Sequence, residues 1–79
     1  MRSQDKNAES ANMFLAAAEF GRKCGNSEIA ERSLYGAAEA FDAAGKKADA
    51  LSTAKTLINL YPKSQYAADV QRIVNLKEN

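Results

Sequence analysis

Three turn signals divide this chain of 79 residues into four segments and so limit what it can fold into. Gly25 and Gly45 stand 20 residues apart, and Pro62 follows Gly45 by 17 residues. Glycine suits the left-handed residue that ends a helix, and proline cannot continue a helix. The stretches between these marks are therefore predicted to be separate helices, joined by short turns.

The four segments also have the apolar spacing of helices. We predict helices over about 5–23, 27–43, 46–61 and 64–76, each with one apolar stripe at helical spacing. Alanine accounts for 16 residues, and no sustained period-two alternation predicts a strand. The fold class is therefore predicted to be all-α, with closely packed helices. The stripes consist of Ala11, Phe14, Leu15 and Ala18 in the first segment; Ile29, Ala30, Ser33, Leu34, Ala37 and Phe41 in the second; Ala50, Leu51, Ala54, Leu57, Ile58 and Tyr61 in the third; and Tyr66, Ala67, Val70, Ile73 and Val74 in the fourth.

Short turns make successive helices pack against each other in opposite directions. We expect four antiparallel helices, arranged as two stacked helix-turn-helix hairpins in a single domain over 1–79. Residues 1–4 and 77–79 are predicted to fray, because chain ends have few contacts to hold them. An unrelated alanine-rich four-helix bundle is the alternative architecture.

The composition limits the chemistry that we expect. The chain has no histidine and a single cysteine, Cys24, which removes the usual general base, the commonest zinc ligand and any intrachain disulfide. We therefore predict no catalytic residues, no cofactor and no metal site. Lys and Arg number 11 and Asp and Glu 10, a net charge of +1, which argues against nucleic-acid binding.

The chain has no apolar run near the roughly 20 residues that a membrane helix needs, and its first residues lack the apolar core of a signal peptide. No membrane span is expected. The compartment stays open: it is the cytoplasm, or the periplasm if a signal peptide has been removed.

The most specific motif is the stretch Tyr61-Pro62-Lys63-Ser64-Gln65-Tyr66-Ala67. It resembles the "YP-x-S-x-YA" junction of tetratricopeptide proteins of the bacterial cell envelope, in which proline ends one helix and serine caps the next. The repeat of this family is about 34 residues long. A repeat that closes at Pro62 starts near Glu31 and has Gly45 at its inter-helix turn.

This resemblance covers residues 31–74. It puts Ala38 and Ala50 at the small positions of the repeat and Phe41 at an aromatic position. Three residues depart from the pattern: Leu34 stands where the family usually has tryptophan or another large residue, Ala54 where an aromatic residue is common, and Leu57 where alanine is usual. Residues 25–30 also imitate the inter-helix turn, so two repeat phases stay open.

The resemblance implies a non-enzymatic protein–protein interaction module, a small adaptor or scaffold. Repeat arrays generally need three or more repeats, so the chain is expected to be part of a longer array, to self-associate or to bind a partner. The alternative function is a homo-oligomerising structural protein without a separate ligand. In that case Ile73, Val74 and Leu76 are predicted to form the interface.

Four residues are predicted to contact a partner. Tyr35 stands beside the apolar stripe of the second segment, and tyrosine is enriched at binding hot spots. Asn12, Arg32 and Lys55 have the residue types of the clamp with which some tetratricopeptide proteins hold a C-terminal carboxylate. They do not align with its pattern, so we predict contact with a protein or peptide partner but not the clamp function itself.

Overall fold

The computed structural model describes residues 2–78, with side chains over 7–76. Its four helices are α1 (Arg2–Lys23), α2 (Ser27–Ala43), α3 (Lys47–Leu60) and α4 (Gln65–Glu78). The described residues include no strand, so the predicted all-α class is confirmed. Met1 and Asn79, which belong to the ends predicted to fray, lie outside the described residues.

The two glycine turns have the same geometry. Gly25 has a φ of 74° and Gly45 a φ of 79°, the left-handed conformation that glycine adopts without a steric penalty. In each turn the residue after the glycine donates its N–H to the carbonyl oxygen five residues earlier, at 2.7 Å after Gly25 and 2.9 Å after Gly45. This bond satisfies a carbonyl that the end of the helix leaves unpaired.

Side-chain caps begin two of the helices. The Asn26 side chain accepts a hydrogen bond at 3.2 Å from the Ile29 N–H at the start of α2. The Ser64 hydroxyl accepts one at 3.1 Å from the Tyr66 N–H at the start of α4, as predicted. Pro62 lies between α3 and α4, in a turn closed by a 3.0 Å hydrogen bond from the Ser64 N–H to the Tyr61 carbonyl.

The helices form an open array of hairpins. Among the described residues α2 contacts all three other helices, whereas α1 contacts α2 alone. The Cα atoms span 36 × 27 × 15 Å, so the array is thin in one direction. The contact between Tyr35 and Tyr66 and the 3.5 Å ion pair between Glu39 and Arg72 show that α2 and α4 run in the same direction.

The core contains the predicted stripes, with two exceptions. Phe14 and Ile29 were expected to be buried but are exposed, because they lie at a rim that no other helix covers. The core also takes in Thr53, a buried polar residue outside the predicted stripe of α3. The main buried cluster consists of Ala11, Ala18, Leu34, Ala37, Ala38, Phe41, Ala50, Ala54, Leu57, Val70, Ile73 and Val74.

Two glycines let α1 and α2 approach closely. A Cβ atom on Gly21 would lie 2.9 Å from the Ala30 backbone nitrogen and 3.0 Å from the Asn26 carbonyl oxygen. A Cβ atom on Gly36 would lie 2.9 Å from three ring atoms of Phe14. Gly21 therefore stabilises the packing of α1 on α2 despite its low helix propensity, because the backbones of the two helices nearly touch at this residue.

One interface predicted for self-association is wrong. Ile73 is only 2% exposed and Val74 6%, because α4 turns both side chains toward the core of its own chain. Only Leu76 of the three is on the surface. Ile73 and Val74 therefore hold the chain together internally.

The two glycines offer a matched pair of substitutions. We expect Gly21→Ala to lower the free energy of unfolding by about 1–3 kcal/mol, because the new methyl group meets backbone atoms that cannot move separately. Gly36→Ala should change it by less than about 1 kcal/mol, since the exposed Phe14 ring can turn aside and alanine favours the helix. Urea unfolding followed by circular dichroism measures both. Equal effects of the two substitutions would contradict the close approach at Gly21.

Ile73→Asp tests the corrected position of Ile73. A carboxylate there has no partner in the core, so we expect a loss of several kcal/mol and a largely unfolded chain. Leu76→Asp, on the exposed side of the same helix, is the control and should keep the native circular dichroism spectrum. If Ile73→Asp instead stays folded and its molecular mass in solution is lower than that of the wild type, Ile73 lies in an interface between copies, as first predicted.

Candidate functional site

An open groove runs along the outer face of α2. It has a volume of about 490 Å³ and lies between α1 and α4, which do not contact each other among the described residues. Pockets for small molecules or for side chains of a partner are usually of this size. We call it the α2 groove, and its lining residues are Phe14, Ile29, Arg32, Ser33, Tyr35, Gly36 and Tyr66.

A second depression continues the groove toward the proline turn. Its volume is about 530 Å³, and it shares Tyr66 with the α2 groove. We call it the turn depression, and its lining residues are Glu28, Glu31, Tyr61, Pro62, Lys63, Ser64, Gln65 and Tyr66. The two cavities together give α2 a continuous concave surface along its N-terminal half.

Phe14 forms the wall of the groove on the α1 side. Its ring lies directly over Gly36, which has no side chain to push it away. The ring is 41% exposed, so it presents one face to the solvent and the other to α2. The missing Cβ at Gly36 thus shapes both the wall and the floor of the groove.

Two tyrosines form the opposite wall. The ring centroids of Tyr35 and Tyr66 lie 5.2 Å apart with an angle of 30° between the ring planes, within the range of favourable aromatic pairs. The cap at Ser64 fixes the first turn of α4 and with it the position of Tyr66. Both rings are half-buried, so each packs on the core and still lines the groove.

Charged groups surround these aromatic rings. Arg32 is exposed in the α2 groove and makes no ion pair or hydrogen bond with the described residues. Glu28, Glu31 and Lys63 line the turn depression. A planar guanidinium beside aromatic faces suits both carboxylate binding and stacking. The surface therefore combines apolar contact area with charges of both signs.

The structure brings together two of the four residues predicted to contact a partner. Arg32 and Tyr35 lie in the α2 groove one turn apart. Asn12 is exposed on α1 and Lys55 is exposed on α3, and neither lines the groove or the turn depression. Tyr35 is half-buried, so it packs against its own chain as well as lining the groove.

Sequence reasoning missed Phe14 as a groove residue and favoured core packing over a groove position for Tyr66. Both were assigned to the core, Phe14 in the apolar stripe of α1 and Tyr66 beside the proline turn. The glycine inside α2, Gly36, was the available signal, since a glycine within a helix often marks a close approach of another group.

The potential metal ligands in the described part of the chain are scattered. Its Cys, Asp and Glu side chains form no group of three or more that could hold a metal ion. Cys24 is exposed just after α1. None of the helices over residues 2–78 has the length and apolar character to cross a membrane.

Comparisons of this chain with protein families, with curated proteins and with solved structures gave no match.

A double-mutant cycle tests the contact that builds the groove wall. We expect Tyr35→Ala and Tyr66→Ala to be coupled by about 0.5–1.5 kcal/mol in the free energy of unfolding, because each removes the same ring pair. Tyr35→Ala combined with Leu76→Ala is the control and should be additive, since Leu76 is an exposed residue further along α4, the helix of Tyr66. Urea unfolding of the single and double variants gives both couplings, and a Tyr35–Tyr66 coupling of zero would contradict the contact.

Proposed function

We propose that this chain is a non-enzymatic protein-interaction module that binds a peptide segment of a partner in the α2 groove. The observation that carries the proposal is the groove itself, an open channel with aromatic side chains from two helices, α1 and α4, whose described residues do not contact each other. Tyrosine and arginine are enriched among the few residues that dominate the binding energy of protein interfaces. In this groove Phe14, Tyr35 and Tyr66 line the same cavity as Arg32, which makes no ion pair with the described residues.

The packing supports a tetratricopeptide-like array as the framework of this module. In the phase that closes a repeat at Pro62, α2 and α3 form one pair and α4 begins the next. The contact between α2 and α4, which run in the same direction, fits stacking of alternate helices. The small positions Ala38 and Ala50 and the aromatic position Phe41 are all buried, as that phase requires.

The chemistry of the groove favours a particular kind of peptide. The guanidinium of Arg32 can hold a carboxylate through two parallel hydrogen bonds, and the rings on either side can hold apolar side chains. We therefore propose a segment with an acidic residue flanked by aromatic or aliphatic residues. Glu28 and Glu31 favour a basic residue where the segment reaches the turn depression.

Selection from a random peptide library displayed on phage tests this function. We expect the wild-type chain to enrich peptides with an acidic residue between apolar ones. Arg32→Ala should weaken binding of a selected peptide by about tenfold or more, since it leaves the carboxylate of the peptide without a partner. Titration calorimetry measures the dissociation constants.

Lys55→Ala is the matched control, because it removes one exposed positive charge from α3 outside the groove. It should leave the affinity unchanged. Amide chemical shifts should move at groove residues when the peptide is added. Equal binding by the wild type and Arg32→Ala, or shifts confined to α3, would show that the groove is not the binding site.

Self-association is the second candidate function, and a specific observation favours it. Large apolar side chains are exposed on the side of α1 that faces away from α2. This surface on α1 differs from the interface first predicted on α4.

A further inference from the structure

The surface of α1 carries an apolar stripe that no described residue covers. Met13, Ala16, Ala17 and Phe20 lie within an arc of about 100° on this helix, counted at 100° per residue. Met13 is 73% exposed and Phe20 63%. We call these four residues the outer stripe. The buried alanines of α1 that face α2 lie on the other side of the helix.

The outer stripe lies in a part of α1 without charge. No charged residue occurs between Glu9 and Glu19, a run of nine residues on a helix that is half exposed to solvent. Single exposed apolar residues are common, but a contiguous apolar patch usually marks an interaction surface. Because α1 contacts only α2 among the described residues, the stripe has room for another helix.

The outer stripe also includes part of a depression that can receive a side chain. A shallow depression of about 300 Å³ is lined by Ser10, Met13, Phe14 and Ala17. These residues have the spacing i, i+3, i+4 and i+7, the four positions that form a hole on the surface of one helix. In paired helices such a hole receives one apolar side chain from the facing helix.

We propose that the outer stripe binds a second copy of this chain, with the two α1 helices antiparallel about a two-fold axis. Phe20 of the second copy enters the depression beside Met13, and by symmetry Phe20 of the first copy enters the same depression on the second. The axis then passes near Ala16 and Ala17. These small side chains let the helices approach closely, so the stripe is complementary to itself.

The charged residues at the two ends of the outer stripe favour a second copy as the partner and an antiparallel arrangement of the two α1 helices. Glu9 and Lys23 are both exposed and lie on the same edge of the stripe, before and after the uncharged run. In the antiparallel pair each Glu9 comes beside Lys23 of the other copy, so two ion pairs form. In a parallel pair the two-fold axis runs along the helices and puts these edges on opposite sides of the interface, so neither ion pair forms. Lys23 also lies 3.6 Å from Glu19 of its own helix, an exposed ion pair that Glu9 of the other copy would share or replace.

Self-association on the outer stripe does not depend on peptide binding in the α2 groove. The groove lies between α1 and α4, and the stripe lies on the far side of α1. Phe14 alone lines both cavities. Substitutions at Met13, Phe20, Glu9 and Lys23 therefore test the stripe without removing a groove residue.

Sedimentation equilibrium over a concentration series tests the proposal. We expect the wild type to show a reversible monomer–dimer equilibrium. Phe20→Glu should raise the dimer dissociation constant by about tenfold or more, since it places a charge in the apolar depression of the other copy. Met13→Glu is a second variant with the same expectation. Circular dichroism must show that both variants stay folded, which the exposure of the two residues predicts.

Leu76→Glu is the matched control. Leu76 is 68% exposed on α4, so the same charge is added at a similarly exposed apolar residue away from the stripe. The control should dimerise like the wild type. A wild-type chain that stays monomeric at millimolar concentration, or a dimer that survives Phe20→Glu and dissociates with Leu76→Glu, would overturn the proposal.

Charge reversal tests whether the second copy is antiparallel. Glu9→Lys or Lys23→Glu alone should raise the dimer dissociation constant by about twofold to tenfold, because each makes two repulsive pairs per dimer. The two reversals together should restore the wild-type value at low ionic strength. If the double variant remains as weak as the single ones, Glu9 and Lys23 do not face each other and the proposed direction is wrong.

The single cysteine gives an independent measure of direction. Cys24 follows α1 about seven residues from the proposed axis, so spin labels attached to it probe the ends of the helix pair. The antiparallel dimer puts the two Cys24 Cα atoms roughly 20–25 Å apart, and a parallel dimer puts them about 10 Å apart. Pulsed electron resonance distinguishes these distances. The shorter one would overturn the antiparallel arrangement.

Discussion

The close approach of α1 to α2 is the constraint on which the rest of the molecule depends. Among the described residues α1 is held by α2 alone, so its position is fixed where Gly21 meets the backbone at Ala30 and where Phe14 lies over Gly36. A side chain at Gly36 would displace the Phe14 ring, and a side chain at Gly21 would separate the two helices. That separation would remove the α1 wall of the groove and change the angle at which α1 presents its outer face.

The local structure could be predicted from the sequence because its causes are local. The helix at 27–43 was predicted with the bounds that the structure has, since a glycine turn precedes it and another follows it. The other three helices were placed within about three residues at each end, and the cap at Ser64 was identified from its position after Pro62. Turn chemistry depends on a few neighbouring residues, which a single sequence contains.

The groove and the internal role of Ile73 could not be predicted in the same way, because they depend on which helix packs where. A stripe on α4 indicates that one side is apolar but not whether it meets its own chain or another. Only the packing of α4 on α2 and α3 decides that Ile73 is buried. The same packing brings Tyr66 to Tyr35, which are 31 residues apart in the sequence. Contacts between residues this far apart in the sequence produce no regular spacing from which they could be predicted.

Phe14 connects the two surfaces that this molecule offers. One ring is both the wall of the α2 groove and a side of the depression on the outer stripe. The ring lies over Gly36 of α2, where no side chain stands against it. If dimerisation shifts this ring, it changes the groove, and by thermodynamic linkage a bound peptide then changes the dimer equilibrium by the same factor. In the proposed dimer a single side chain would thereby couple self-association to peptide binding.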